Sequence, residues 1–305
     1  MRALAVFLAA RLVRALIAVW LVSTVVFVVM RLSGDPVPLL LPPDAPRSEY
    51  ARVARELGTD RPLPVQYAVF LGHVVRGDFG RSIHFREPAM RVALGYLPAT
   101  IQLGLTAFTL AVLVAVPVGV VSAVRRNTAV DHAAMAVALV GQSVPNFWLA
   151  IMMILLFAVS WGLLPTSGRG GVAHVVMPAV AIAINLMALL TRLVRSTMIE
   201  MLAEDYVRTA RAKGLREVAV LARHALPNVL IPLVTVVGLQ FGYILGGAVV
   251  IETIFTWPGV GLFTIQAILN RDYPVVQASV FVLATAVVLH SFPTRRSSDH
   301  RKSVV

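Results

Sequence analysis

A short charged segment interrupts the apolar sequence between residues 204 and 214. Acidic residues open this segment and basic residues follow them; its candidate contact residues are Glu204, Asp205, Tyr206, Val207, Arg208, Ala210, Arg211, Ala212, Lys213 and Gly214. Acids near the start and bases near the end suit a helix macrodipole, and glycine commonly follows a helix. The segment predicts a helix of about ten residues, outside the bilayer, whose arginines bind carboxylates of a partner or lipid phosphates.

Small residues recur along one side of this predicted helix. The stripe consists of Ala203, Val207, Ala210 and Gly214. Their spacing of i, i+4, i+7 and i+11 places them on one helical face, along which another surface could approach closely. A loop that only sets membrane topology needs basic residues and no such stripe. The pattern favours docking on a partner, and a plain topology signal is the alternative.

Amide and hydroxyl side chains interrupt the apolar sequence elsewhere. They are Gln102, Gln142, Ser143, Asn185 and Gln240. Amides exchange hydrogen bonds with peptide backbones, so these five residues are candidates for lining a solute pathway. Polar side chains also join membrane helices to one another, and that role is the alternative for each residue.

The sequence contains no common signature of an enzyme. It has no cysteine, which excludes disulfides, thiolate metal sites and a cysteine nucleophile. The seven histidines are scattered without an HExxH pair, and neither GxSxG nor GxxxxGK[ST] occurs. We therefore predict no catalytic residue, no metal site and no cofactor. Any ATP would be hydrolysed by a separate chain.

The composition and the apolar runs indicate the class of protein to which these residues belong. Of the 305 residues, 58% are hydrophobic and 14% are charged, whereas soluble domains contain about 25% charged residues. Apolar runs long enough to span a bilayer cover residues 14–30, 97–124, 133–164, 175–194, 229–251 and 273–290. They predict an all-α membrane protein with about six transmembrane helices. In the third run, Pro145 predicts a bend or a break.

Basic residues cluster in alternate loops between these runs. Arg125, Arg126 and the group in 192–223 lie on the predicted side of the N-terminal arginines, whereas the opposite short loops, 165–174 and 252–272, hold one arginine each. By the positive-inside rule both termini are cytoplasmic, in a multi-pass membrane protein. The net charge of +12 is therefore a topology signal rather than a nucleic-acid surface.

Four regions follow from this pattern. Residues 1–30 form an N-terminal transmembrane helix, 31–95 an extracytoplasmic segment, and 96–290 a five-helix transmembrane core with a cytoplasmic loop at 195–228. The outer segment predicts a short helix with Ser48 as its N-cap and Gly58 as its end. The atypical residues 291–305 resemble translated sequencing-adapter read-through, and we expect them to be artefactual; a genuine basic tail is the alternative.

The charged segment belongs to a longer stretch that resembles a known family. "EDYVRTARAKGLREVAVLARHALPNVLIPLVT" (204–235) is similar to the cytoplasmic loop of ABC importer membrane subunits, and in particular to the dipeptide/oligopeptide/nickel permeases. Residues 57–83, 97–105, 143–151 and 246–278 resemble the same family in the same order. The resemblance implies a type I permease-like bundle with a cytoplasmic coupling helix and an outer loop region.

The resemblance also implies a location in the bacterial inner membrane and a set of partners. The partners are a second homologous permease subunit, expected in a heterodimer, two ABC ATPase subunits that grip residues 203–216, and an extracytoplasmic substrate-binding protein. The solute would be a peptide or a related small solute such as a nickel complex. In this family an outer gate lies at the position of Glu252, Trp257, Pro258 and Gly259; interfacial anchoring is the alternative for Trp257. A gradient-driven carrier or channel is the alternative function.

Overall fold

The computed structural model describes residues 2–32, 34, 37–42 and 44–290. The tail predicted to be atypical, 291–305, lies outside these residues. The described residues contain no β-strand, and an isolated antiparallel bridge joins Arg81 and Pro88. The all-α prediction is confirmed.

Thirteen α-helices follow one another within the described ranges. They are α1 (Arg2–Leu32), α2 (Val37–Leu40), α3 (Arg47–Leu57), α4 (Leu63–Arg76), α5 (Ala89–Val124), α6 (Ala129–Ser143), α7 (Asn146–Met153), α8 (Val172–Ala203), α9 (Asp205–Ala212), α10 (Glu217–Val220), α11 (Leu226–Ile254), α12 (Val260–Leu269) and α13 (Tyr273–His290). Two π-helical segments extend them: Ile154–Ser160 follows α7, and Leu221–Ala225 joins α10 to α11.

Four helical stretches in the described ranges are long and apolar enough to cross a bilayer. They are Ala9–Leu32, Ala89–Val124, Val172–Ala203 and Glu217–Gln240. A fifth candidate is the pair Ala129–Ser143 and Asn146–Ser160, bent by 102°. The bend confirms the predicted interruption. It occurs at Pro145, which has no backbone N–H to continue α6 and is the N-cap of α7. The sixth predicted run forms a shorter apolar helix, Tyr273–Val288.

The chain folds into two compact units. The first comprises the described residues of Met1–Thr100 and Pro258–Leu289. Aromatic side chains fill its core: Phe27 stacks on Phe70 with ring centroids 5.1 Å apart, and Tyr96 on Phe263 at 4.1 Å. The core thereby packs the outer segment against the helices of its own unit.

Two local features of the outer segment bear on the sequence prediction. Helix α3 begins two residues earlier than predicted, with Pro46 rather than Ser48 as its N-cap, because proline sets an extended backbone before the first turn. Gly58 ends the helix as predicted, in a left-handed conformation with φ 67°.

The second unit comprises the described residues of Ile101–Trp257 and His290–Val305. Helix α8 is central to it and packs against α6, α7 and α11. Alanines line much of its buried surface, and small side chains let membrane helices approach closely. Near its C-terminal end, the guanidinium of Arg195 binds the buried carboxylate of Asp131 on α6. Helix α8 therefore connects the bent helix pair to the segment that follows it, α9.

Candidate functional site

Helix α9 is joined to α8 through a single non-helical residue, Glu204. It spans eight residues, fewer than predicted. Lys213 caps its end, and Gly214 then adopts φ 76°, a left-handed conformation that glycine enters without strain. The charged segment is thus a helix followed by a glycine, as the sequence predicts.

The centre of the stripe of small residues is buried within this chain. Val207 and Ala210 are already buried within this chain, where they pack with Val220 and Leu202. A partner could not use that face without displacing these contacts. Docking along the stripe stays a prediction, and α10 folds back and covers the stripe's centre within this chain. The ends of the stripe, Ala203 and Gly214, remain exposed.

Two polar contacts hold α9 to the residues after it. Asn228 Nδ2 donates to Tyr206 Oη at 3.1 Å, and Arg211 Nε and Nη2 donate to the two oxygens of Glu217 at 3.2 and 2.6 Å. Hydrogen bonding to Glu217 raises the pKa of the Arg211 guanidinium. With the buried contacts of Val207 and Ala210, these bonds fix α9 to both α8 and α11.

The face of α9 that remains open is polar. It carries Asp205, Arg208, Thr209, Arg211, Ala212 and Lys213, all exposed. Arg208 Nη1 lies 3.2 Å from Asp205 Oδ1 and is otherwise presented to solvent. Tyr206 is 38% exposed beside them. A partner with carboxylates and hydrogen-bond acceptors would fit this face.

Three of the predicted pathway residues come together where α6 gives way to α7. Arg192 Nη1 on α8 donates to Gln142 Oε1 at 2.5 Å, and Asn185 Nδ2 donates to Asn146 Oδ1 at 2.7 Å. Ser143 donates to the carbonyl of Leu139 in its own helix at 2.9 Å. The break between the helices is therefore lined by a polar row rather than by apolar side chains alone.

The other two pathway candidates lie elsewhere. Gln102 Oε1 accepts hydrogen bonds from Arg169 Nε and Nη2 at 3.1 and 2.6 Å. Arg169 precedes the start of α8, about 20 Å along that helix from Asn185 at 1.5 Å per residue. Gln240 is half-buried on α11. The five residues therefore do not form one cluster.

The predicted outer-gate residues divide between the two units. In the second unit Glu252 and Trp257 are fully buried, and the Arg169 guanidinium lies 5.8 Å from the Trp257 ring centroid. An interfacial anchor exposes its ring to the headgroups, so this burial argues against the anchoring alternative. In the first unit Pro258 is half-buried, and Gly259 is the N-cap of α12.

Several residues of these arrangements were not singled out from the sequence. They are Asp131, Asn146, Arg169, Arg192 and Arg195. One sequence signal was available: Arg192 follows Asn185 by seven residues, which places both on one face of α8. In the part of the chain that the structure describes, no group of three or more metal-ligating side chains is close enough to hold an ion. The contacts of the candidate residues are hydrogen bonds, ion pairs and packing contacts.

Family models and individual relatives that match this chain are all components of transport systems. The family model described as binding-protein-dependent transport system inner membrane component matches residues 115–300, and its N-terminal companion matches 4–104. The chain is 40% identical over 288 residues to the dipeptide transport system permease protein DppB of Escherichia coli K12, covering 84% of this chain and 85% of that protein. It is 39% identical over 271 residues to the glutathione transport system permease protein GsiC of Salmonella choleraesuis, covering 88% of each.

Solved structures are similar at the level of the fold. The inward-facing MetNI methionine ABC transporter matches with a TM-score of 0.55 and 19% identity, over 67% of this chain and 93% of that one. An amino acid ABC transporter solved with histidines matches with a TM-score of 0.51 and 18% identity, over 68% and 94%.

Proposed function

Because this chain belongs to the family of binding-protein-dependent transport system inner membrane components, it is a multi-pass permease subunit of an ABC importer, and we propose that it carries peptides. Its relatives include dipeptide, di/tripeptide and glutathione permeases. The chain would form half of the pathway with a second permease subunit. Two ATPase subunits would supply the energy, and an extracytoplasmic binding protein would supply the peptide.

The bracing of α9 is the observation that carries the coupling part of this proposal. A helix that transmits force must be attached at both ends. The N-terminal end of α9 is attached to α8 through Glu204 and to α11 through the Tyr206–Asn228 hydrogen bond. Its C-terminal end is attached to α10 through Arg211 and Glu217. Its open face is polar and charged. We therefore place the ATPase contact on Asp205, Arg208, Ala212 and Lys213 rather than on the buried Val207 and Ala210.

The remaining assignments follow from that placement. If α9 faces the ATPases, loop 195–228 is cytoplasmic, and the alternation of spans puts both termini on the same side. Gln142, Ser143 and Asn185 would line the pathway at the break between α6 and α7. Glu252 and Trp257 would belong to the outer gate, with the Arg169 guanidinium beside the Trp257 ring. Residues 31–95 would lie on the extracytoplasmic side of the membrane.

The test compares two exposed alanines. In the assembled transporter in proteoliposomes, we expect Ala212→Trp on α9 to lower ATP-dependent peptide uptake about tenfold, because a bulky ring separates α9 from the ATPase. Ala68→Trp, at an exposed position of α4 in the outer segment, is the matched control and should leave uptake within about twofold, since exposed substitutions rarely perturb a protein.

The readouts are peptide uptake, peptide-stimulated ATP hydrolysis and co-purification of the ATPases. Equal behaviour of the two variants would contradict the placement of the coupling face. Uptake driven by a proton or sodium gradient in vesicles without ATP would contradict the proposed energy source and favour a carrier.

A further inference from the structure

One cation of α8 has a neutral partner. The Arg192 guanidinium is hydrogen-bonded to the Gln142 amide, and within the described residues no carboxylate lies within ion-pair distance of it. Three residues further along the same helix, Arg195 has the carboxylate of Asp131 as its counter-ion. The positive charge of Arg192 is therefore uncompensated in the described part of this subunit.

Arg192 lies directly after an apolar run of α8. Residues 172–191, directly before it, contain no Asp, Glu, Lys or Arg and extend about 30 Å, the thickness of a bilayer's hydrocarbon core. Side chains on a helix point back toward its N-terminus. The guanidinium is thus directed along the apolar run, and Gln142, the second-last residue of α6, holds it there.

Arg192 and Gln142 are both exposed in this subunit. An ionisable side chain at the end of an apolar run either reaches the aqueous interface or faces a bundle interior or a water-filled cavity, and each of these environments contains water or protein rather than hydrocarbon. Asn185 and Asn146 extend the polar row one step further. The exposed side of this row is therefore a water-accessible or protein-lined surface, as a solute pathway requires.

The chemistry of the guanidinium selects the ligand. Gln142 occupies Nη1, which leaves the edge formed by Nε and Nη2 without a described partner. That edge matches the two oxygens of a carboxylate in geometry and charge. We infer that Arg192, oriented by Gln142, binds the carboxylate of the transported solute as it passes the break between α6 and α7.

This inference rests on the proposed function and adds a specificity-determining contact to it. A peptide with a free C-terminus carries the required group. A single arginine on an exposed surface would hold such a solute weakly, which is consistent with transport, since a pathway site must also release its solute. Asp131 blocks the same role for Arg195, because its carboxylate already occupies Nε and Nη2 of that residue.

The absence of cysteine from the sequence allows a test of the charge itself. Arg192→Cys should lower uptake of a free dipeptide about tenfold in the assembled transporter in proteoliposomes, the value expected for losing a charge-assisted hydrogen bond. Aminoethyl methanethiosulfonate attaches a cation to the new thiol and should restore much of the uptake. Methyl methanethiosulfonate attaches a neutral group and should not restore it.

Discrimination between a free and an amidated dipeptide tests the ligand. The wild-type transporter should take up a dipeptide with a free C-terminus faster than the same dipeptide amidated at its C-terminus, and Arg192→Cys should lose most of this preference. Arg126→Cys is the matched control. Arg126 is exposed in the loop after α5, and its replacement should change uptake by less than about twofold. Treatment with either reagent should leave the uptake of this variant unchanged.

Three results would overturn the inference while the proposed function stands: unchanged uptake by Arg192→Cys, equal recovery with the neutral reagent, or a thiol that water-soluble reagents do not reach. If Arg192→Cys keeps the full wild-type preference for the free over the amidated dipeptide, the carboxylate is not the ligand of Arg192. If the wild-type transporter takes up no peptide, the proposed substrate class fails first and the inference fails with it.

Discussion

Two bidentate pairs of arginine and carboxylate lie in the second unit, and solvent exposure separates them. Arg195 binds Asp131 at 2.6 and 2.7 Å, and Arg211 binds Glu217 at 3.2 and 2.6 Å. The Asp131 side chain is 1% exposed, whereas those of Arg211 and Glu217 are 43% and 49% exposed. The chemical groups are alike, and their contributions to stability are expected to differ.

The difference follows from what surrounds each carboxylate. Asp131 also accepts hydrogen bonds from Ser122 Oγ at 2.5 Å and from the Asn127 backbone N–H at 2.9 Å, so it joins α5, α6 and α8. A buried charge that loses its partner is strongly destabilising. An exposed pair is solvated in either state and contributes little. The buried pair therefore fixes helix packing, and the exposed pair adjusts the position of α9.

The largest expected effect is that of removing the buried carboxylate. Asp131→Ala should lower the free energy of unfolding by about 3–5 kcal/mol, because the Arg195 guanidinium is left without a counter-ion in a largely buried site. Denaturant titration of the purified chain in detergent micelles measures this. A loss no greater than that of an exposed substitution would remove the distinction between the two pairs.

A smaller effect is expected from the hydroxyl that supports the buried pair. Ser122→Ala removes one hydrogen bond to the Asp131 carboxylate and should cost about 1.5–3 kcal/mol, the range for hydrogen bonds to charged groups. The same titration measures it. In the double variant Ser122→Ala/Asp131→Ala the serine should contribute nothing further, and full additivity would show that the serine acts independently of the carboxylate.

The smallest effect is expected at the exposed pair. Arg211→Ala and Glu217→Ala should each lower the free energy of unfolding by less than about 1 kcal/mol. A double-mutant cycle should give a coupling energy that falls further in 1 M salt, where the Debye length is about 3 Å. A coupling as large as that of Asp131 and Arg195, unaffected by salt, would contradict the comparison.

The start and the end of α9 could be predicted from the residues of the segment itself. The order of acids and bases predicted a helix in the charged segment, and Gly214 predicted its end. Pro145 likewise predicted the break between α6 and α7, because a proline acts on its immediate neighbours. Each of these features depends on backbone geometry within about one turn of the residue concerned.

The docking surface on α9 could not be predicted in the same way. The spacing of Val207 and Ala210 correctly placed them on one face, yet it could not tell whether that face would meet a partner or the chain itself. Val220 decided the outcome, since α10 folds back over the stripe. A buried face and a docking face have the same periodicity, so only the position of neighbouring elements separates them.

The amino-acid sequence by itself determined that this is an all-α membrane protein, where most of its apolar helices lie, and that a charged helix interrupts them. Tertiary structure alone decided which charges have counter-ions: Arg195 meets Asp131 across 64 residues, and Arg192 meets Gln142 across 50. The reason is physical. Hydrophobicity and helix termini act through neighbours in the chain, whereas the partner of a charge is set by how distant helices pack.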